Sequence, residues 1–194
     1  AATKKSKNRI IKMGENPKYV FFTGSPSIDE IKDKKITDKF MLKKKYDIDF
    51  SGKELLLLFH SVTTEPQNSE KEANNIINAI SKIRQQIFII APNSDPGNKK
   101  IFDLFKKFSA NNKFCKFYRN IPREDYLGML KNCGILVGNS SSGIIEASYF
   151  KIPVVNIGIR QKDRETGTNV INSQNSTKSI ICTIKKAYKL QSNI

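Results

Sequence analysis

The sequence predicts an α/β fold, a Rossmann-like parallel sheet of about six strands with helices on both faces. Short apolar runs at 55–59, 87–91 and 135–137 are too brief for helices and carry no polar alternation, which is the pattern of strands buried on both faces. Stretches with apolar residues at helical spacing separate them, and these connections are long enough for the crossovers that parallel strands require. Small and polar residues follow directly after the runs, at Phe59-His60, Ala91-Pro92-Asn93, Gly138-Asn139 and Gly158-Ile159-Arg160. In open α/β sheets the carboxyl ends of strands are where ligands bind.

Taken in order, residues 19–22 read as a short first strand. Gly24-Ser25-Pro26-Ser27 is a turn in which Ser25 caps a helix and Pro26 fills its first position, with Asp29 in the first turn. Residues 27–47 are helical and polar, with Ile28, Ile31, Phe40, Leu42 and Tyr46 as anchors. The strand 55–59 follows, then a loop over 60–68. Ser69 and Glu72 have capping-box spacing, and Ala73, Ile76, Ile77, Ile80 and Ile83 continue as one helical stripe. After the strand 87–91, Asp95-Pro96 opens a helix whose Ile101, Leu104, Phe105 and Phe108 share one face. Residues 113–117 form a strand, and 122–132 a helix packing Leu127 and Leu130. Strands 135–137 and 152–157 flank a helix over 144–150, and a helix over 178–190 closes the chain.

A length of 194 residues suits one domain with a substantial core. No apolar run approaches the ~20 residues needed to cross a bilayer, and the start, AATKKSKNRI, has no signal-peptide core. Cys115, Cys133 and Cys182 are widely spaced and odd in number, with no CxxC pair, which suggests packing thiols in the cytoplasm and no metal site. The net charge of +16 raises nucleic acid as a partner. Lysine, isoleucine and asparagine make up 72 of the 194 residues, however, a composition that A/T-rich codons alone produce. Lys32, Lys34, Lys35 and residues 43–45 lie in helix-like segments without aromatic interleaving, so they read as a solvated face, and neither nucleic acid nor membrane is expected as a partner.

Chemistry concentrates between Gly138 and Asn169. Asn139, Ser140, Ser141, Ser142 and Gly143 are small enough for main-chain N–H groups and hydroxyls to close around an anion at the start of the next helix. Glu146, a full turn into that helix, is placed to accept hydrogen bonds from sugar hydroxyls such as those of a ribose. Arg160, at the end of the neighbouring strand, can reach the same anion. Asn139, Gly143, Arg164 and Glu165 are candidates for loop support. A purely structural alternative makes the serine run a solvated turn and pairs Arg160 and Arg164 with Asp163 and Glu165. His60 is the only histidine and leaves its strand at the ligand edge, so any imidazole chemistry must use it. No GxSxG elbow supports a serine hydrolase, and no GxGxxG supports a dinucleotide cofactor.

The segments GNSSSG (138–143), Glu146 and GIRQKDRETGTNV (158–170) resemble the UDP-N-acetylglucosamine 2-epimerase family. MGENPKYVFFTGSPSIDEI (13–31) is similar to that family's entry into its C-terminal domain, and FHSVTTE (59–65) to its hydrolysing branch, so the resemblance covers about residues 12–170. It implies a GT-B-type architecture of two Rossmann-like halves with the active site between them. Residues 1–16 would then be the last helix of the N-terminal half, and 17–194 the C-terminal UDP-binding domain of a chain about twice as long. By position it implies Ser140 and Ser141 on the diphosphate, Glu146 on the ribose, Arg160 on phosphate and His60 at the reacting sugar, with no role for Ser142.

The reaction implied is loss of UDP from C1 of a UDP-sugar with a 2-acetamido group, removal of a proton at C2, and water addition with inverted C2 to give N-acetylmannosamine or a related amino sugar. No cofactor is implied. The acid/base carboxylates would lie largely in the absent half, the whole enzyme would be a cytoplasmic homo-oligomer, and this chain alone would bind UDP weakly without turnover. Alternatives of other classes are a glycosyltransferase half, which needs an acceptor site and forms a glycoside, and a noncatalytic nucleotide- or nucleic-acid-binding module, which would ignore UDP.

Overall fold

The computed structural model describes residues 1–33 and 35–191. Six strands form one sheet: β1 (Leu55–Leu58), β2 (Ile87–Ile90), β3 (Cys115–Tyr118), β4 (Ile135–Gly138), β5 (Val154–Ile157) and β6 (Val170–Ser173). All neighbouring pairs are parallel, in the order β3-β2-β1-β4-β5-β6. The chain moves outward from β1 in one direction, then returns to start β4 on its other side. The β1/β4 boundary is therefore the topological switch point, where a crevice opens outside the carboxyl ends of the strands.

The run of four leucines in β1 is explained by this central position. Leu55 and Leu57 face one core with Phe59, Ala73, Ile76, Ile80, Ile101, Phe105 and Ile184, against α4 (Ser69–Ile80), α5 (Asn98–Ala110) and α8 (Thr177–Gln191). Leu56 and Leu58 face a second core with Leu42, Phe88, Met129, Leu130 and Leu136, against α3 (Lys39–Tyr46) and α6 (Arg123–Asn132). Successive side chains of a strand point to opposite faces, so a strand covered on both sides has no polar position. Each buried leucine contributes about 1.5–3 kcal/mol relative to exposure.

Several sequence expectations are corrected. Residues 19–22 are not a strand. They continue from a 3-10 turn at Pro17–Tyr19, capped by Asn16, with Tyr19, Phe21 and Phe22 exposed and only Val20 buried. The sixth strand is β6, at the edge beyond β5. The region 27–47 is two helices, α2 (Pro26–Asp33) and α3, because Asp38 caps a new start by accepting the Met41 N–H at 2.9 Å. Ile31 and Leu42 are buried as anchors, but Phe40 is 74% exposed. Ser69 and Glu72 form no capping box. The 3-10 turn Pro66–Asn68 already bends the chain, Ser69 is the first helical residue, and its buried hydroxyl and Glu72 Oε2 have no hydrogen-bond partner among the described residues. Gly97, with φ of 87°, delays α5 to Asn98, past Asp95-Pro96.

At the amino end, α1 (Lys4–Lys12) lies against the loop after β5. Its Lys5 main-chain N–H donates to Glu165 Oε2 at 3.1 Å, and Lys5 Nζ donates to the Asp163 carbonyl at 2.8 Å. Cys115 and Cys133 are buried, whereas Cys182 is exposed and has no packing role. Among the described residues, no helix is long and apolar enough to cross a membrane, and no three or more His, Cys, Asp and Glu side chains gather as metal ligands.

Candidate functional site

At the end of β1 the chain passes from the buried Phe59 to His60, whose side chain turns into the crevice and is 9% exposed. Its Nδ1 accepts the Asn93 main-chain N–H, at 3.0 Å, from the loop after β2. In the neutral ring the proton therefore resides on Nε2. Burial, reinforced by the Arg160 charge, lowers the His60 pKa to about 4, with Asp95 and the Asn93 side chain opposing in part. His60 is thus an uncharged imidazole at neutral pH, able to donate through Nε2. It borders a cleft of about 300 Å³ lined also by Leu58, Asn93, Arg119, Ile121 and Tyr126.

Across the switch point, β4 ends at Gly138 with φ of 140°, and a Cβ there would lie 2.0 Å from the Leu58 carbonyl oxygen. Only glycine permits this approach of the two strand ends. Asn139 follows, 1% exposed, and binds the His60 main chain in both directions. Its own carbonyl accepts Arg160 Nη1 at 3.1 Å and Gln161 Nε2 at 2.9 Å. Arg164 in turn donates to Gln161 Oε1 at 3.0 Å. Arg160 is further braced by Asp95 Oδ2 at 3.8 Å from its Nη2. Asn139 thus joins the His60 loop to the arginine loop. Glu165 takes no part in that chain, because its carboxylate binds the start of α1.

Beyond Asn139 the serine run forms a 3-10 turn, Ser141–Gly143. Ser140 Oγ caps it by accepting the Ser142 N–H at 3.3 Å, and Ser142 Oγ is held by the Tyr126 hydroxyl at 2.5 Å. Ser142 is therefore a buried anchor, while the Ser140 and Ser141 N–H groups have no acceptor among the described residues. Gly143 brings this turn against β5, since a Cβ would sit 2.9 Å from Val154 Cγ1.

Glu146 departs from expectation in two respects. The helix α7 is only Glu146–Tyr149, because the 3-10 turn uses the residues that would have formed an earlier α-turn, so Glu146 opens the helix. It is also already paired: Oε1 accepts Arg123 Nη2 at 3.1 Å, while Arg123 Nε donates to Glu30 Oε2 on α2 at 2.8 Å. Burial opposes the Arg123 charge, yet the bonds to Glu146 and Glu30 prevail and hold its pKa above the ordinary guanidinium value. Arg123, Tyr126 and Gln161 escaped the sequence reading. For Arg123 and Tyr126 the available signal was their i, i+3 spacing on a helix beginning PRED, which places both on one face.

Fold and site together define a doubly wound, Rossmann-like α/β protein whose polar side chains gather at the sheet's switch point. The chain belongs to the UDP-N-acetylglucosamine 2-epimerase family, which it matches over residues 1–194. It is 33% identical over 186 residues to a UDP-N,N'-diacetylbacillosamine 2-epimerase (hydrolyzing) of Legionella pneumophila, covering 96% of this chain and 49% of that protein. It is 31% identical over 189 residues to a UDP-N-acetylglucosamine 2-epimerase of Neisseria meningitidis, covering 97% and 49%. The fold matches the crystal structure of UDP-GlcNAc 2-epimerase from Neisseria meningitidis bound to UDP-GlcNAc, with a TM-score of 0.73 at 14% identity, covering 100% of this chain and 55% of the other. The chain thus spans about half the length of the curated relatives it matches.

Proposed function

We propose that this chain is the C-terminal, UDP-binding half of a hydrolysing 2-epimerase acting in the cytoplasm on a UDP-activated 2-acetamido sugar. Residues 1–16 are then the end of a preceding Rossmann-like half, and 17–194 the nucleotide domain. One observation carries the reading: Asn139 fastens the loops of His60 and Arg160 together at the switch point, beside a turn with two N–H groups that find no acceptor among the described residues.

In this reaction a base takes the proton from C2, the C1–O bond breaks with its electron pair passing to the diphosphate, and a C1=C2 double bond remains. Water then adds its hydroxyl at C1 and a proton at the opposite face of C2. Negative charge grows on the departing diphosphate, so donors fixed there stabilise the transition state more than the bound substrate. The Ser140 and Ser141 N–H groups and the Arg160 guanidinium are such donors. A neutral His60 suits a hydrogen bond through Nε2 to the sugar or bridging oxygen, and the diphosphate's charge raises its proton affinity as the bond breaks. Glu146 accepts from the ribose.

Titration calorimetry of the chain with UDP tests this assignment. Arg160→Ala removes a charge-assisted bond of about 1.5–3 kcal/mol, so affinity falls roughly 10- to 150-fold. Unchanged affinity overturns the placement of the diphosphate.

A further inference from the structure

Three elements meet at Arg123. The residue opens α6, and its guanidinium forks between Glu30 on α2 and Glu146 on α7, at 2.8 and 3.1 Å. The Glu146 side chain is only 8% exposed, and a carboxylate so far from water requires a partner. Arg123 engages Oε1 alone, so Oε2 has no protein partner among the described residues. Arg123 Nη2 is the protein partner of this carboxylate among the described residues, so the fork sets where Oε1 lies and with it the direction of Oε2. One helical turn on from Arg123, Tyr126 holds Ser142, so a single face of α6 fixes both the serine turn and the carboxylate.

We infer that Arg123 is a positioning residue that fixes the Glu146 carboxylate so that Oε2 meets the ribose hydroxyls of a uridine nucleotide. The inference rests on the reading of Glu146 as the ribose acceptor. Lysine cannot replace the fork, because a single ammonium does not present two divergent donors to carboxylates on separate helices.

The test compares affinities of the chain for UDP and 2'-deoxy-UDP by calorimetry. The unsubstituted chain prefers UDP by roughly 10-fold, the size of one hydrogen bond to a charged acceptor. Arg123→Gln and Arg123→Lys both bring this ratio towards one while 2'-deoxy-UDP affinity changes by less than about twofold. A purely structural role would weaken both nucleotides alike and leave the ratio intact, which overturns the inference. Glu146→Ala separates the two claims. If it abolishes the preference while both Arg123 variants keep it, the role of Arg123 is overturned and the ribose reading stands. If Glu146→Ala keeps the preference, or the unsubstituted chain has none, the ribose reading falls and the inference with it. Should Arg123→Gln give no cooperative melting transition, Arg123→Lys decides.

Discussion

The Asn139 side-chain amide closes on the main chain of His60 through two hydrogen bonds of 2.8 Å, Nδ2 donating to the His60 carbonyl and Oδ1 accepting its N–H. The pair extends the β1–β4 ladder by one further rung, made by a side chain where the main chains have begun to part. The same residue's carbonyl receives Arg160 and Gln161, so a structural bond and a candidate substrate contact share one pivot.

Asn139→Ala therefore strands two buried main-chain groups at about 1–3 kcal/mol each, and the variant is expected to lose about 2–6 kcal/mol. Asn139→Asp keeps an acceptor for the His60 N–H but sets a carboxylate against the His60 carbonyl, and a loss of similar size is expected. Urea midpoints at constant m-value measure both.

His60 gives a pH signature of definite sign. Its folded pKa of about 4 lies below the usual ~6.5 of the unfolded chain. Between these values the unfolded state binds the extra proton, so stability rises with pH and is complete above about 6.5. The whole effect is on the order of 3 kcal/mol, at ~1.4 kcal/mol per pH unit. Because the chain has one histidine, its ring resonances titrate without overlap in NMR, and UDP is expected to move the midpoint upward. A midpoint near 6.5 in the free chain would show that the ring is not buried beside Arg160.

The sheet was legible wherever burial on both faces wrote an unbroken apolar run, as in residues 55–58 and 135–137. It was least legible at the edges. Residues 170–173 read VINS, an edge strand with an exposed Asn172, while residues 19–22 read YVFF and are β-like in type but pair with no strand among the described residues. In the candidate site, Ser140, Ser141 and Arg160 could be put forward from sequence because chemistry and strand ends coincide there. Arg123 lies 23 residues from Glu146 in sequence, and only the packing of α6 on α7 brings them together. Ser142 was assigned no role, and the serine run itself does not reveal that its hydroxyl turns inward to Tyr126.

The two glycines of the loop should respond differently to an added methyl group. At Gly138 the Cβ would meet main-chain atoms, the Leu58 carbonyl at 2.0 Å, with φ at 140°. Gly138→Ala must separate β1 from β4 and is expected to cost more than about 3 kcal/mol. At Gly143 the nearest atom is Val154 Cγ1 at 2.9 Å, the end of a side chain. Gly143→Ala is expected to cost about 1–2 kcal/mol, within the overpacking range. Equal denaturation midpoints for the two variants would contradict the difference between main-chain and side-chain neighbours.

Asp125, beside Arg123 in the first turn of α6, decides how firmly that helix is held. It is 1% exposed and accepts bonds from Thr37 Oγ1 at 2.5 Å, Lys45 Nζ at 3.0 Å and the Tyr46 hydroxyl at 2.6 Å, which clasp α6 to α3. Burial pushes its pKa up, but the Thr37, Tyr46 and Lys45 bonds prevail and hold it below the ordinary carboxylate value. A depressed folded pKa gives stability that is present above the unfolded value of ~3.9 and lost as pH falls through the folded one. Asp125→Asn keeps the shape but puts a neutral amide where a buried carboxylate accepted three bonds, so a loss of about 1.5–3 kcal/mol is expected at pH 7. The gap to the unsubstituted chain should narrow as pH falls below about 4, where the unfolded chain's carboxylate takes up its proton before the native one does. Lys45→Met should cost less, because Lys45 is 43% exposed and the Thr37 and Tyr46 bonds remain. Since Arg123 and Tyr126 ride on the same turn, Asp125→Asn should also weaken UDP at neutral pH. If stability falls while UDP affinity is unchanged, the clasp supports the fold without supporting the nucleotide loop.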